Sequence, residues 1–291
     1  MYHKTSSFRI FNGFNIVLLS LLALLCVIPL VHVLAVSVSS SEYVNANRIT
    51  FVPMGFTLEN YARTFTSNGF MNALGITFLR TILGTALSML LCFLAAFSLS
   101  KEDSYFKGRS IYAWFFVITI LFHGGLIPSY LVVVNTGLKN TIWALILPGA
   151  VAVFNVVLMM NFFRGIPKEL EEAAQIDGAG IVRTLFMIFL PISMPSIATL
   201  SLFTIVTHWN SWFDGMIYME ANRQPLATFI QSMIKNTDFT KIHVNPSDLR
   251  ILSERALKAT QIFVGALPVL LVYPFLQRYF VHGMTLGSVK E

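Results

Sequence analysis

The sequence predicts an all-α integral membrane protein of about six spanning helices, on two observations. Of its 291 residues 55% are hydrophobic and 12% charged, against roughly a quarter charged in a soluble domain. The charges also leave uncharged runs at 10–41, 81–100, 110–138, 140–163, 184–213 and 259–277. A spanning helix needs about 20 mainly apolar residues, because its backbone must satisfy its own N–H and C=O groups across about 30 Å of hydrocarbon.

The first run, Phe11 to Ser40 behind Lys4 and Arg9, is far longer than a secretory h-region of about 7 to 15 residues and reads as an uncleaved helix. Gly75, Gly84, Ala95 and Ala96 around the second run, and Gly265 in the sixth, suit close helix packing in lipid. Gly124-Gly125 with Pro128 interrupts the third run and Pro148-Gly149 the fourth; simple kinks or breaks that release backbone carbonyls toward a cavity both fit. Cys26 and Cys92 fall inside spans and behave as small buried hydrophobes. His32, His123, His208 and His282 are singletons without the spacing of a metal site, which favours packing or interfacial roles.

The net charge of +6 comes from Lys and Arg scattered among loops, so neither a basic stripe nor a nucleic-acid partner is expected. These bases divide almost evenly between the two sides of the predicted bundle, and positive-inside counting barely decides orientation. The predicted layout is a tail at 1–12, a six-helix domain at 13–283 and a second tail at 284–291. Loops at 41–70 and 219–258 lie on one side and the segment 164–195 on the other.

That segment carries the clearest mechanism. Pro167 suits the start of a helix, and Glu169, Glu171 and Glu172 complement the positive end of its dipole. Ala173 and Ala174 keep one face thin for a partner's backbone, and Asp177-Gly178 ends the helix with a glycine free to adopt positive φ. A second helix is expected from about Ile181 to Phe189, stopping near Pro191, so that the two form an elbow on the membrane face. An amphipathic linker on the membrane surface would explain the glutamates but not the full spacing.

Glu172-Ala173-Ala174, then Gly178, Ile188 and Leu190-Pro191 at their spacing, resembles the coupling motif of binding-protein-dependent ABC importer permeases. The resemblance extends to Asn161-Phe162-Phe163-Arg164, to Trp209-Asn210-Ser211-Trp212 and to the ending from Gln277 to Lys290, which is similar to carbohydrate-uptake permeases of the smaller maltose-permease type. His123 to Tyr130 and Tyr273 to Gln277 are most similar to the branch for oligosaccharides and polysaccharide fragments. The resemblance implies a six-helix type I permease bundle, multi-pass in a bacterial cytoplasmic membrane, with 164–195 cytoplasmic and Glu172 facing an ATPase subunit. It also implies a second permease, ATP-binding cassette subunits that hold the ATP and Mg, and an extracytoplasmic sugar-binding protein.

No P-loop pattern occurs, so this chain is expected to be a transport subunit, neither enzyme nor cofactor carrier, with hydrolysis on partners. Alternatives are a permease for another solute and a secondary carrier. A carrier commonly uses intramembrane carboxylates or histidines, and of fourteen acidic residues only Asp214 is placed near a span, at the outer end of the fifth. Arg80, the one base inside a predicted helix, is its candidate partner. Trp209, Asn210, Trp212 and Tyr218 combine flat rings with an amide, which suits a sugar; an aromatic belt at the membrane interface explains the rings equally well.

Overall fold

The computed structural model describes residues 6–103, 105–122, 124–235 and 248–286. His123, residues 236–247 of the expected outer loop and the extreme tails lie outside the described residues, as do the side chains of the ending from Gln277.

In chain order the helices are α1 (Ser6–Ser37), α2 (Ser41–Asn45), α3 (Glu59–Thr66), α4 (Asn68–Ser100), α5 (Arg109–Leu121), α6 (Leu126–Asn135), α7 (Ile142–Ile146) and α8 (Val153–Arg164). They continue as α9 (Lys168–Ile176), α10 (Ile181–Thr184), α11 (Leu190–Ile192), α12 (Met194–Asn210), α13 (Phe213–Tyr218), α14 (Leu226–Lys235) and α15 (Asp248–Leu286). Short 3-10 turns occupy Leu147–Gly149 and Ala221–Arg223, and a π turn occupies Leu185–Phe189.

Among the described residues three helices are individually long and apolar enough to cross a membrane: Ser7–Ser37, Asn68–Ser100 and Glu254–Phe275. Three bent helix pairs pass the same test of length and apolarity when each is taken as one span. One joins α5 to α6 across Gly124-Gly125, one bends by 51° between Gly149 and Val153, and one bends by 82° between Ile192 and Met194. The first two breaks fall at the glycine and proline pairs that interrupt those runs, where helix propensity is lowest.

The chain forms two compact units, residues 1–71 with 232–267, and residues 72–231 with 268–291. In the first, the segment after α1 folds back on that helix's end. Thr57 N–H donates to Val38 O at 2.9 Å and Ser40 N–H to Gly55 O at 2.9 Å, while Asn60, buried, donates to Ser39 O at 3.2 Å. Thr260 Oγ1 in α15 donates to Ser37 O at 3.2 Å. Ala35, Val44, Ile49 and Ala256 form a small core beside these bonds. The segment 41–70 contains α2 and α3, and the segment 219–258 contains the Ala221–Arg223 turn, α14 and the start of α15.

The second unit holds the larger core, built on Phe93, Phe97, Val156, Met159, Phe163 and Phe189. Aromatic rings meet edge to face there: Phe97 and Phe189 at 4.9 Å, Phe163 and Phe189 at 5.5 Å, Phe93 and Phe163 at 5.2 Å. This cluster gathers α4, α8 and the π turn at one end of the unit. Further along α4, a Cβ on Gly84 would lie 2.6 Å from His208 Nε2, so the bare glycine lets the imidazole of α12 rest on the α4 backbone. Here the small residue serves close packing.

Candidate functional site

The elbow is built by three local devices. Pro167 caps the first arm from just outside, with φ −57° and ψ 132°, and α9 follows it. At the other end Gly178 takes φ +76°, Ala179 N–H donates to Ala174 O at 2.8 Å and Gly178 N–H to Gln175 O at 3.0 Å. That pair of bonds is a Schellman motif, which ends a helix cleanly and is inexpensive because glycine has no Cβ to clash.

The second arm runs from Ile181 through the π turn to Ile192, one residue past Pro191. Leu190 N–H reaches back five residues to Leu185 O, a widened turn immediately before a proline that has no N–H to offer an α ladder. The chain turns at Ser193, whose N–H donates to Phe189 O at 3.0 Å and Leu190 O at 3.2 Å.

Glu172, Ala173, Asp177, Gly178 and Pro191 are exposed, whereas Ile188 and Leu190 are half-buried against the core of the second unit. Ala174 corrects the expectation of a thin face made by both alanines: it is buried within the chain itself, and only Ala173 stays open. The tip on either side of Asp177-Gly178 is apolar, with Ile176 at 86% exposure and Ile181 and Val182 also exposed. Exposed apolar residues collected on a charged turn mark a contact surface.

Polar side chains tie the elbow to the end of α4. Lys101 Nζ donates to Glu171 Oε1 at 2.6 Å and lies 4.0 Å from the centre of the Phe97 ring and 4.4 Å from that of Phe189. Lys168 pairs with Glu102, and each holds the other charged: the carboxyl of Glu102 is lowered below the usual glutamate range and the Lys168 ammonium is raised above its own. Arg164 donates to Leu99 O at 3.3 Å and Tyr105 Oη to Gln175 Oε1 at 3.4 Å. Lys101 was not singled out from the sequence, where it only marks the end of an uncharged run.

Arg80 and Asp214 form an ion pair at the other end of the second unit. Arg80 is 3% exposed and Asp214 23%. Arg80 Nη1 also donates to Ser211 O at 3.2 Å, and Asp214 Oδ1 accepts from Ser211 Oγ at 2.9 Å and from Gly215 N–H at 2.8 Å. Asp214 does not extend the fifth span: α12 ends at Asn210, Ser211 is extended, and Asp214 sits in the first turn of α13. Ser211 is the member that sequence reasoning missed.

Trp209, Asn210, Trp212 and Tyr218 are not gathered on one surface. Trp209 is buried edge-on to Phe78 at 5.1 Å, and Tyr218 is buried and stacked on Tyr130 at 6.2 Å with the rings 7° apart. Asn210 and Trp212 remain exposed, Trp212 edge-on to Phe213 at 5.7 Å. The extended break at Ser211 puts Trp209 on α12 and Tyr218 on α13, and the two buried rings meet different partners.

Residues 105–286 match the family described as the binding-protein-dependent transport system inner membrane component. The chain is 38% identical to the polygalacturonan/rhamnogalacturonan transport system permease protein YtcP of Bacillus subtilis, over 97% of this chain and 99% of that protein. It is 35% identical to the protein LplC of the same organism, over 99% and 97%. Among solved structures it is similar to a bacterial ABC transporter involved in import of the acidic polysaccharide alginate, with a TM-score of 0.84, 27% identity and coverage of 96% of this chain and 100% of that one. A secondary carrier is thereby set aside. A helical bundle with broken spans and a capped elbow, matched along nearly its whole length by permeases, belongs to the binding-protein-dependent transport system inner membrane component family, and the chain is a permease subunit.

Proposed function

We propose that this chain is one half of the membrane pathway of an ATP-driven oligosaccharide importer in a bacterial cytoplasmic membrane, paired with a second permease. The observation that carries the reading is the elbow at 164–195. It has a short charged helix stopped by a Schellman turn, an apolar exposed tip at Ile176, Ile181 and Val182, and a second arm continuous with the bent span that leads to α12. Such a knob fits a groove in a cytoplasmic ATPase subunit, with Glu172 and Ala173 on its open side. ATP and Mg belong to that partner. A sugar-loaded binding protein docks on the extracytoplasmic loops read from the sequence at 41–70 and 219–258.

The named substrates of two relatives, polygalacturonan/rhamnogalacturonan and alginate, support fragments of acidic polysaccharides as the first solutes to try. Of the four aromatic and amide candidates, Asn210 and Trp212 keep exposed side chains, and sugar contact is assigned to these two. Arg80 and Asp214 serve to hold α13 against α4.

The test is uptake of labelled oligouronides and neutral oligosaccharides by the complete reconstituted transporter, with the native chain and with Gly178→Pro. Proline cannot adopt positive φ, so the variant straightens the turn. Loss of ATP-dependent uptake together with loss of ATPase co-purification is expected; uptake and co-purification that both persist would make the elbow a surface linker.

A further inference from the structure

Lys101 lies outside the elbow, yet its side chain is where both arms meet the spanning helix. It follows Ser100, the last residue of α4, and its backbone is held from a neighbouring element, since Arg109 Nη1 donates to Lys101 O at 3.3 Å. The ammonium then touches three elements at once. Glu171 comes from the first arm, Phe189 from the π turn in the second arm, and Phe97 from the last turns of α4 itself. Only 15% of the Lys101 side chain and 24% of the Glu171 side chain are exposed, so the charge is partly shielded from solvent screening. A cation over two ring faces gains from both quadrupoles while it satisfies the carboxylate.

Core packing alone does not hold the first arm there. A cavity of about 350 Å³ opens between that arm and the end of α4, lined by Ser100, Tyr105, Arg164, Glu171, Glu172 and Gln175 among others. Across it, the connections are side-chain ties, and that between Lys168 and Glu102 is largely exposed on both sides. The second arm is fixed differently, through the edge-to-face contacts of Phe189 with Phe97 and Phe163. Lys101 joins the loosely seated arm to the firmly seated one.

We propose that Lys101 is a positioning residue that locks the two arms of the elbow together on the end of α4, so that a displacement of the elbow by its ATPase partner reaches α4 as the motion of one rigid unit. The proposal rests on the elbow reading given above. Without the pin, the first arm follows the ATPase while α4 stays behind. Hydrolysis then proceeds without transport.

The experiment measures ATP hydrolysed per sugar imported by the complete reconstituted transporter, with partner permease, ATPase subunits and binding protein present. Lys101→Met keeps most of the length of the side chain and removes the charge. It is expected to assemble, to leave the partner's ATP hydrolysis near the native rate, and to lower uptake by about tenfold, a coupling change of the size that non-contacting residues produce. Lys101→Arg, which restores the cation and its ring contacts, should recover most of the uptake, a rescue that a role in filling space would not give. Uptake by Lys101→Met close to native would overturn the proposal. If Lys101→Met does not assemble, Glu171→Gln decides: a raised ATP-to-sugar ratio supports the pin, and an unchanged ratio overturns it. Gly178→Pro in the same preparation separates the two readings. Should it lose uptake while Lys101→Met does not, the pin alone fails; should it keep both uptake and ATPase binding, the elbow reading itself fails.

Discussion

Two ion pairs, that of Arg80 in α4 with Asp214 and that of Lys101, just past the end of α4, with Glu171, sit 21 positions apart. At about 1.5 Å per residue that spacing is about 30 Å, the thickness of a bilayer's hydrocarbon layer. One helix thus carries a charge at each edge of the apolar zone, and the two are treated differently. Arg80 is enclosed, and its carboxylate partner is also fixed by Ser211 and by the N–H of Gly215. Lys101 is 15% exposed, and its partners stand on the two arms of the elbow. An enclosed pair with several fixed ligands holds elements still. One whose partners belong to separate arms can pass on a motion.

The comparison is broken most severely at Arg80. Removing one member of a buried pair costs about 3–5 kcal/mol, and the lower part of that range applies because Asp214 keeps two other donors. Arg80→Met should therefore lower the thermal midpoint of the purified permease clearly and abolish uptake. The exchanged pair, Arg80→Asp with Asp214→Arg, should regain part of both, though not the bond to Ser211 O. A midpoint unchanged in Arg80→Met would remove the distinction between the two ends.

Gly84 tests whether the middle of α4 is as rigid as its enclosed end. Its added methyl would meet the His208 ring, and overpacking of this kind costs about 1–3 kcal/mol. Gly84→Ala should lower the midpoint, and His208→Ala in the same chain should return most of it.

Lys101→Met sharpens the contrast from the other side. Lys101 is more exposed than Arg80, 15% against 3%, so the midpoint of Lys101→Met should fall less than that of Arg80→Met even as coupling falls. A fall as large as that of Arg80→Met would mean that the two pairs serve the same purpose.

The smallest effect belongs to Lys168 and Glu102. The Glu102 carboxyl is lowered in the folded chain by the bond to Lys168, so its stabilisation is complete above the ordinary glutamate range and fades as pH falls through the depressed value. The Lys168 ammonium, raised by the same partner, keeps its share below the ordinary lysine range and loses it as pH rises through the raised value. The small difference in midpoint between the native chain and Glu102→Gln at neutral pH should vanish in acid, and also in high salt.

Much of this was legible in the sequence, for physical reasons that differ by element. Hydrocarbon thickness sets a minimum of about 20 apolar residues, which α1 at 32 residues exceeds, so an uncharged run reveals it directly. Gly124-Gly125 and Pro148-Gly149 announce two of the three broken spans through their low helix propensity. The third bend, at Ser193, lies beside Pro191, where the sequence announces a helix end, but the π turn before it depends on how Phe189 packs against α4 and α8. Glycine at position 178 advertised the Schellman turn, but nothing local showed that Ala174 would be taken by the chain's own packing. Arg80 and Asp214 were each conspicuous as charges near spans. Lys101 was not, since both Glu171 and Phe189 reach it only through tertiary folding. Trp209 and Tyr218 show the same limit, being sent to Phe78 and Tyr130 by neighbours far away in the chain.

The central claim, that the elbow seats in an ATPase subunit, is tested most directly at its tip. Ile176, 86% exposed, replaced by the photo-crosslinking residue p-benzoylphenylalanine in the complete transporter, should join this chain to an ATPase subunit on illumination, and the joined complex should lose ATP-dependent uptake. Crosslinking to lipid alone, with uptake intact, would contradict it.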